Sequence, residues 1–177
     1  RYLSSAASDV YKRQCIRFEE NKTRPMGRNA SGVRGVRLKD QKDEVVGMIS
    51  VNDMDSDILV VSENGYGKRS KLEDYRITNR GGKGVKTISI TEKTGNLVSL
   101  KNVSDGDDLM IINKSGIAIR MEVNTLRVMG RATQGVRLIN IKDNDSIAAV
   151  AKVVLDDQEV TDIEEIDVVE DLSLIHI

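Results

Sequence analysis

The chain has 177 residues, 31% of them charged, and a formal net charge of −1. That length is enough for one domain with its own hydrophobic core. A single cysteine and a single histidine exclude an internal disulfide bond and the His/Cys clusters that bind transition metals. No apolar run approaches the length of a membrane span, so we expect no membrane association.

The near-neutral total conceals a strong charge asymmetry. All 27 basic residues precede residue 153, whereas nine of the 28 acidic residues lie between positions 156 and 171. The body up to residue 155 therefore carries +8 and the segment after it carries −9. A basic body predicts a polyanionic partner. The acidic run is typical of a disordered tail, and we expect it to compete with the polyanion for the basic surface.

Both ends differ from the interior of the chain. We expect residues 1–15 to be a linker or a non-native segment, and residues 156–177 to be an acidic disordered tail with a non-native end. The interior alternates short apolar runs with turns, and a short helical turn is predicted over residues 72–75. The predicted strands cover residues 45–51, 57–62, 66–71, 97–103, 108–113, 117–121, 136–141 and 147–153.

Two local signals are strong. The uninterrupted apolar run within residues 57–62 is typical of a strand that is buried on both faces. Asn64 and Gly65 follow it and predict a type I′ hairpin turn, because both central positions of that turn need positive φ. The return strand over residues 66–71 completes a predicted hairpin.

The interior also repeats itself. The pattern Arg-x-x-x-Gly-Val-Arg/Lys begins at Arg28, Arg80 and Arg131, and the hairpin that starts at Asp57 returns at Asp108. A period of 51 to 52 residues with about four strands per unit predicts an all-β, propeller-like fold. We expect about three four-stranded blades in an open arc, with units over residues 24–75, 76–126 and 127–155.

Cations recur at equivalent places in these units. Glycine in each loop permits positive φ and close approach of backbone N–H groups, and the flanking cations can hold phosphate oxygens. The alternatives are a plain turn that opens each blade and a charged edge strand that discourages aggregation. We predict that the following residues contact DNA: Arg28, Arg34, Arg37, Lys68, Arg69, Lys71, Arg76, Arg80, Lys83, Lys86, Arg120, Arg127, Arg131 and Arg137.

The aromatic content points to duplex DNA. Single-stranded nucleic acid needs stacking platforms, and only Tyr66 and Tyr75 lie within the repeats. Backbone contact along a curved basic surface would bend or wrap a duplex. A protein-interaction module, with the charge serving solubility, is the alternative. We expect no catalytic residues, metal or cofactor, because serines lack a histidine partner and the sequence around Lys68 departs from a P-loop at Ser62 and Arg69.

Residues 24–38, 63–69, 79–85 and 130–138 are together similar to the C-terminal domain of DNA gyrase A. The resemblance implies the last three blades of a six-bladed β-pinwheel that wraps duplex DNA and supports negative supercoiling in the bacterial cytoplasm. It also implies that the catalytic tyrosine domain, the rest of the gyrase A polypeptide, and the gyrase B polypeptide with its ATPase lie outside this chain. The topoisomerase IV counterpart is the alternative family.

One departure from the family pattern matters. The family's Gln-Arg-Arg-Gly-Gly-Lys-Gly box is represented only by its last five residues, which begin at Arg80 and include Lys83. The resemblance therefore implies a weakened phosphate-contact role for these two side chains. An arc cut from a disc would expose strand edges, so we expect marginal stability or self-association.

Overall fold

The structure, a computed structural model, describes residues 13–38, 43–142 and 145–153, together with the backbone of residues 2–8 and 154. All structural statements below refer to these residues. The predicted acidic tail lies outside them. The described residues contain three helices, each a single three-residue 3₁₀ turn, and none is long and apolar enough to cross a membrane.

The described residues are organised almost entirely as strands. The 3₁₀ turns cover Glu20–Lys22, Leu72–Asp74 and Val123–Thr125. The strands are β1 (Tyr2–Ser8), β2 (Gln14–Glu19), β3 (Glu44–Val51), β4 (Asp57–Ser62), β5 (Tyr66–Lys71), β6 (Val85–Lys86), β7 (Leu97–Val103), β8 (Asp107–Asn113), β9 (Ala118–Glu122), β10 (Val136–Arg137) and β11 (Ile147–Val154).

The strands form three antiparallel sheets, in agreement with the predicted all-β, blade-like fold. Sheet 1 has the order β3-β1-β2-β6, sheet 2 the order β7-β4-β5-β10, and sheet 3 the order β11-β8-β9. The two-residue strands β6 and β10 each lie on a sheet whose hairpin comes much earlier in the chain. Val85 pairs with Cys15, and Val136 pairs with Gly67. The sheets therefore exchange strands.

Residues near the start of the chain belong to this architecture. The sequence predicts a linker or a non-native segment over residues 1–15; in the structure β1 lies between β2 and β3 in sheet 1. Its weakly apolar sequence gave no strand signal. The predicted strand over 136–141 also shortens to β10, because Ile139 and Ile141 turn their side chains into the core between sheets 2 and 3.

The hairpin turn is tight, as predicted, but its type differs. The amide of Gly65 donates to the carbonyl of Ser62 over 3.1 Å, and only after Gly65 does the return strand begin. The loop therefore has three residues, with Gly65 in the left-handed region at φ 76°. A type I turn followed by a left-handed glycine has this geometry, and it replaces the predicted type I′ turn.

Sheet 2 separates two hydrophobic cores. Ile58 and Val60 on β4 pack toward sheet 1, whereas Leu59 and Val61 pack toward sheet 3. All four side chains are buried, so the prediction of a strand covered on both faces is confirmed. Alternation along one strand thus joins three sheets into a stack of blades.

The strand exchange can be tested at its glycines. A Cβ at Gly135 would lie 2.5 Å from the carbonyl oxygen of Gly67, whereas at Gly32 it would meet no described atom within 4 Å. Both have positive φ, at 89° and 79°. We expect Gly32→Ala to cost about 1 kcal/mol of unfolding free energy from φ alone, and Gly135→Ala to cost at least about 2 kcal/mol more. Urea denaturation of both variants measures this; equal losses would contradict the exchanged packing.

Candidate nucleic-acid interface

The segments predicted to carry phosphate contacts are here called the first (residues 28–37), second (80–86) and third (131–137) basic loops. The second loop follows a bond from the Thr78 amide to the carbonyl of Arg17 (2.9 Å) and ends where β6 joins β2. The third follows a bond from the Met129 amide to the carbonyl of Arg69 (2.8 Å) and ends where β10 joins β5. Both ends of the second loop are therefore attached to β2 of sheet 1, and both ends of the third loop to β5 of sheet 2.

Glycine serves this attachment. Gly32, Gly84 and Gly135 all adopt positive φ, which confirms that part of the prediction. A Cβ at Gly84 would lie 2.6 Å from the carbonyl oxygen of Cys15. In the second and third loops, glycine therefore allows the loop backbone to approach a neighbouring strand, β2 or β5, of the same protein.

The three loops are neighbours. The amide of Gly81 donates to the carbonyl of Gly35 over 2.6 Å, which joins the second loop to the first. The amide of Ser89 donates to the carbonyl of Thr133 over 3.0 Å, which joins the segment after the second loop to the third. The cation-bearing loops therefore form one contiguous edge.

The loop arginines reinforce this contact with a repeated hydrogen bond. Arg80 donates from Nη1 to the carbonyl of Arg34 over 3.2 Å, and Arg131 donates from Nη1 to the carbonyl of Lys86 over 3.0 Å. Arg80 also donates from Nε to the carbonyl of Lys22. In both junctions the acceptor is the residue that follows the Gly-Val pair. These two arginines hold the preceding loop as well as contributing charge to the edge.

Most of the remaining predicted cations are exposed. Lys71 and Arg120 are exposed but paired with Asp57 and Asp108, while Lys86 is half-buried and donates to Ser89 Oγ over 3.3 Å. Arg137 is exposed and contacts Tyr66 and Asn140. The exposed cations whose side chains make no hydrogen bond or ion pair within the described residues are Arg28, Arg34, Arg37, Arg76, Lys83 and Arg127.

Two of the predicted contact residues lie inside the protein. Lys68 is 1% exposed, and its Nζ donates to the carbonyl of Gly130 over 2.7 Å and to Thr133 Oγ1 over 3.3 Å. Arg69 is 7% exposed and donates to the carbonyl of Val123. Both side chains fasten sheet 2 to segments of the next blade, so we leave them out of the candidate DNA surface.

Arg69 belongs to a structural repeat that the sequence interpretation missed. Arg17 donates to the carbonyls of Leu72 and Tyr75 at the 3₁₀ turn after β5, and Arg69 donates to the carbonyl of Val123 at the 3₁₀ turn after β9. The spacing from Arg17 to Arg69 matches the repeat period and could have revealed the pair. Arg120 lies on β9 at the position equivalent to Arg69 on β5. Within the described residues no further 3₁₀ turn covers Arg120, and its side chain is exposed.

The paired acids at the start of β8 have structural roles. Asp107 accepts from the Ser104 amide over 2.6 Å and pairs with Lys152, while Asp108 pairs with Arg120 over 2.6 Å. These contacts hold the turn before β8 and join β8 to its neighbours β9 and β11. Within the described ranges no group of three or more His, Cys, Asp or Glu side chains could hold a metal ion.

A family model and individual protein sequences similar to this chain all belong to DNA gyrase. A family model described as "DNA gyrase C-terminal domain, beta-propeller" matches residues 12–52, 56–104 and 107–153. The DNA gyrase A protein of Staphylococcus aureus strain MRSA252 is 48% identical over 158 residues, which cover 88% of this chain and 18% of that protein. The same protein of strain NCTC 8325 / PS 47 is 48% identical over 152 residues, covering 85% and 17%. The chain thus spans less than a fifth of the length of these relatives.

Solved structures agree with the sequence comparison. A structure of the DNA gyrase A C-terminal domain has a TM-score of 0.77 at 28% identity and covers 86% of this chain and 50% of its own. The C-terminal domain of DNA topoisomerase IV has a TM-score of 0.79 at 21% identity, covering 86% and 46%. The second likeness shows the shared fold.

The buried Lys68 predicts a pH-dependent stability. The pKa of Lys68 is lowered from 10.5 to about 8, mainly by burial; the charge of Asp74 raises it, and the charges of Lys86 and Arg131 lower it. Between those values the unfolded chain holds more protons than the folded one, so stability should rise with pH. We expect the unfolding free energy of the wild type to increase relative to that of Lys68→Met between about pH 7 and about pH 10. A difference that stays constant in urea titrations would contradict the lowered pKa.

Proposed function

The chain belongs to the DNA gyrase C-terminal domain family, a beta-propeller family, and on that premise we propose that it binds and wraps duplex DNA along its basic loops. The module is non-catalytic and contacts the phosphate backbone. Its sequence relatives are gyrase A proteins, and the resemblance seen in the sequence is confirmed.

The contiguity of the three basic loops is the observation that carries this proposal. A wrapped duplex needs phosphate contacts spaced along a continuous path, because isolated cations do not fix its course. The loops are joined by direct hydrogen bonds, and Arg34 in the first and Lys83 in the second are exposed and engaged by no described side chain. Such side chains can take phosphate oxygens without breaking a contact of the fold.

The edge of the sheets opposite the basic loops is formed by β3, β7 and β11. In sheet 2 the strand order places β10 at one edge and β7 at the other. The β3 and β11 strands of the neighbouring sheets occupy the same edge as β7 and lie next to it. This edge is therefore occupied by strand contacts between blades, which leaves the loop-bearing edge for the DNA.

In the parent protein the module would act beside the remainder of gyrase A and beside gyrase B. Wrapping by the module would favour the DNA crossing that ATP-driven strand passage converts into negative supercoils. Because the substrate is chromosomal DNA, the activity belongs in the bacterial cytoplasm. The tyrosines of this chain have no part in DNA cleavage under this proposal.

A charge-removal experiment tests the DNA surface. We expect Arg34→Ala combined with Lys83→Ala to weaken duplex binding roughly tenfold per lost contact, because each truncation removes a charged donor that the fold does not use. The slope of log K against log[salt] should fall by about 1.8 for two phosphates. Fluorescence anisotropy with labelled duplexes of unrelated sequence measures both quantities.

The matched control is Lys101→Ala, which removes a lysine from β7 at the opposite edge. It should leave affinity and slope unchanged. An unchanged slope in the double variant would remove the loops from the contact surface. Weak, non-saturating binding by the wild type would instead favour a module that binds protein partners.

A further inference from the structure

A cavity lies at the end of sheet 2, next to the last residue of the third basic loop. It has a volume of about 240 Å³ and is enclosed by the β4–β5 hairpin tip, the turn before β7 and the end of the third basic loop. The lining residues used below are Asn64, Tyr66, Lys93, Arg137, Lys142 and Asp145. Lys93 and Lys142 carried no assignment from the sequence.

Arg137 is held in place at this cavity. Its Nη2 donates to the phenol oxygen of Tyr66 over 3.1 Å, and its guanidinium carbon lies 5.4 Å from the centre of the Tyr66 ring. Its Nη1 donates to Asn140 Oδ1 over 3.2 Å. A guanidinium has five N–H donors, so this arrangement fixes its position and leaves donors for a ligand.

The single carboxylate in the lining is committed elsewhere. Asp145 accepts from Ser115 Oγ over 2.8 Å, from the Ser146 amide over 2.8 Å and from Asn113 Nδ2. The hydrogen bond from the Ser115 hydroxyl, followed by that from the Ser146 amide, lowers the pKa of Asp145. Asp145 forms no ion pair with Lys93, Arg137 or Lys142 within the described residues. Three cations therefore border the cavity, and none of them forms an ion pair with a carboxylate of the described residues.

The chemistry of the lining selects an anion. The face of Tyr66 is occupied by Arg137, so it offers no platform for a stacked base. Besides Ile141 and the already hydrogen-bonded Asp145, the lining supplies ammonium, guanidinium and amide groups. Arg137 is also the last residue of the third basic loop, so the cavity continues the cation-bearing edge toward the hairpin tips. Phosphate fits both the charge and the donor set.

We infer that this cavity binds a backbone phosphate of duplex DNA, so that the bound duplex extends from the basic loops toward the hairpin-tip end of sheet 2. The inference rests on the proposed DNA-binding function and adds Lys93 and Lys142 to the contact surface. Arg137 supplies the fixed donor, Tyr66 positions it, and the two lysines close around the phosphate.

The test uses Lys93→Ala combined with Lys142→Ala, because both lysines are exposed and neither side chain makes a hydrogen bond or an ion pair with a described residue, so the fold should be unaffected. Duplex affinity should fall several-fold, and the salt slope should fall by about 0.9 to 1.8. Lys101→Ala is the control and should bind as the wild type does. Unfolding curves of the wild type and both variants check that stability is equal.

The outcomes separate this inference from the function on which it rests. If Arg34→Ala with Lys83→Ala weakens binding but the Lys93/Lys142 variant does not, the cavity assignment is wrong and the loop surface stands. If the wild type fails to bind duplex saturably, both fall. Inorganic phosphate is the second probe: resonance shifts at Tyr66 in the wild type, with duplex affinity unchanged in the lysine variant, would identify a free-phosphate site and overturn the DNA assignment.

Discussion

The fold depends on two edge strands, β2 and β5, whose outer backbone groups are paired by strands from much later in the chain. In sheets 1 and 2 the outer N–H and C=O groups of β2 and β5 are paired by two residues that arrive about 70 positions later, as in the pairing of Cys15 with Val85 and of Gly67 with Val136. Unpaired strand edges invite association with other chains. The exchange closes them and requires a glycine just before each inserted valine, where backbone meets backbone.

Because of this strand exchange, the basic loops that repeat along the sequence lie next to one another in the structure. Because each inserted strand enters at the same edge, the loop that precedes it must project there, and successive loops touch. The same arrangement divides the cations by role. Arg17 and Arg69 reach the next blade's 3₁₀ turn and are buried, Arg80 and Arg131 hold the preceding loop, and the side chains beyond them face solvent.

Local signals in the sequence predicted local structure well. The bounds of β4 and β5 were predicted to the residue, because an uninterrupted apolar run and turn residues act over a few positions. The exchange of β6 and β10 was missed, since pairing over about 70 residues leaves no periodic signal. Lys68 and Arg69 were misassigned for a related reason: a cation on a strand becomes buried or exposed according to what packs on it. The cavity beside Tyr66 was invisible because Lys93 and Arg137 meet only through the fold.

The most direct measurement maps the DNA relative to the two edges with a tethered cleavage probe. Lys83→Cys and Lys101→Cys each offer one new thiol for an iron chelate, and the native Cys15 is fully buried. The account predicts strong cleavage of a bound duplex by the probe at position 83 and little by the probe at position 101. Equal cleavage from both positions, or stronger cleavage from position 101, would contradict a DNA path along the basic loops.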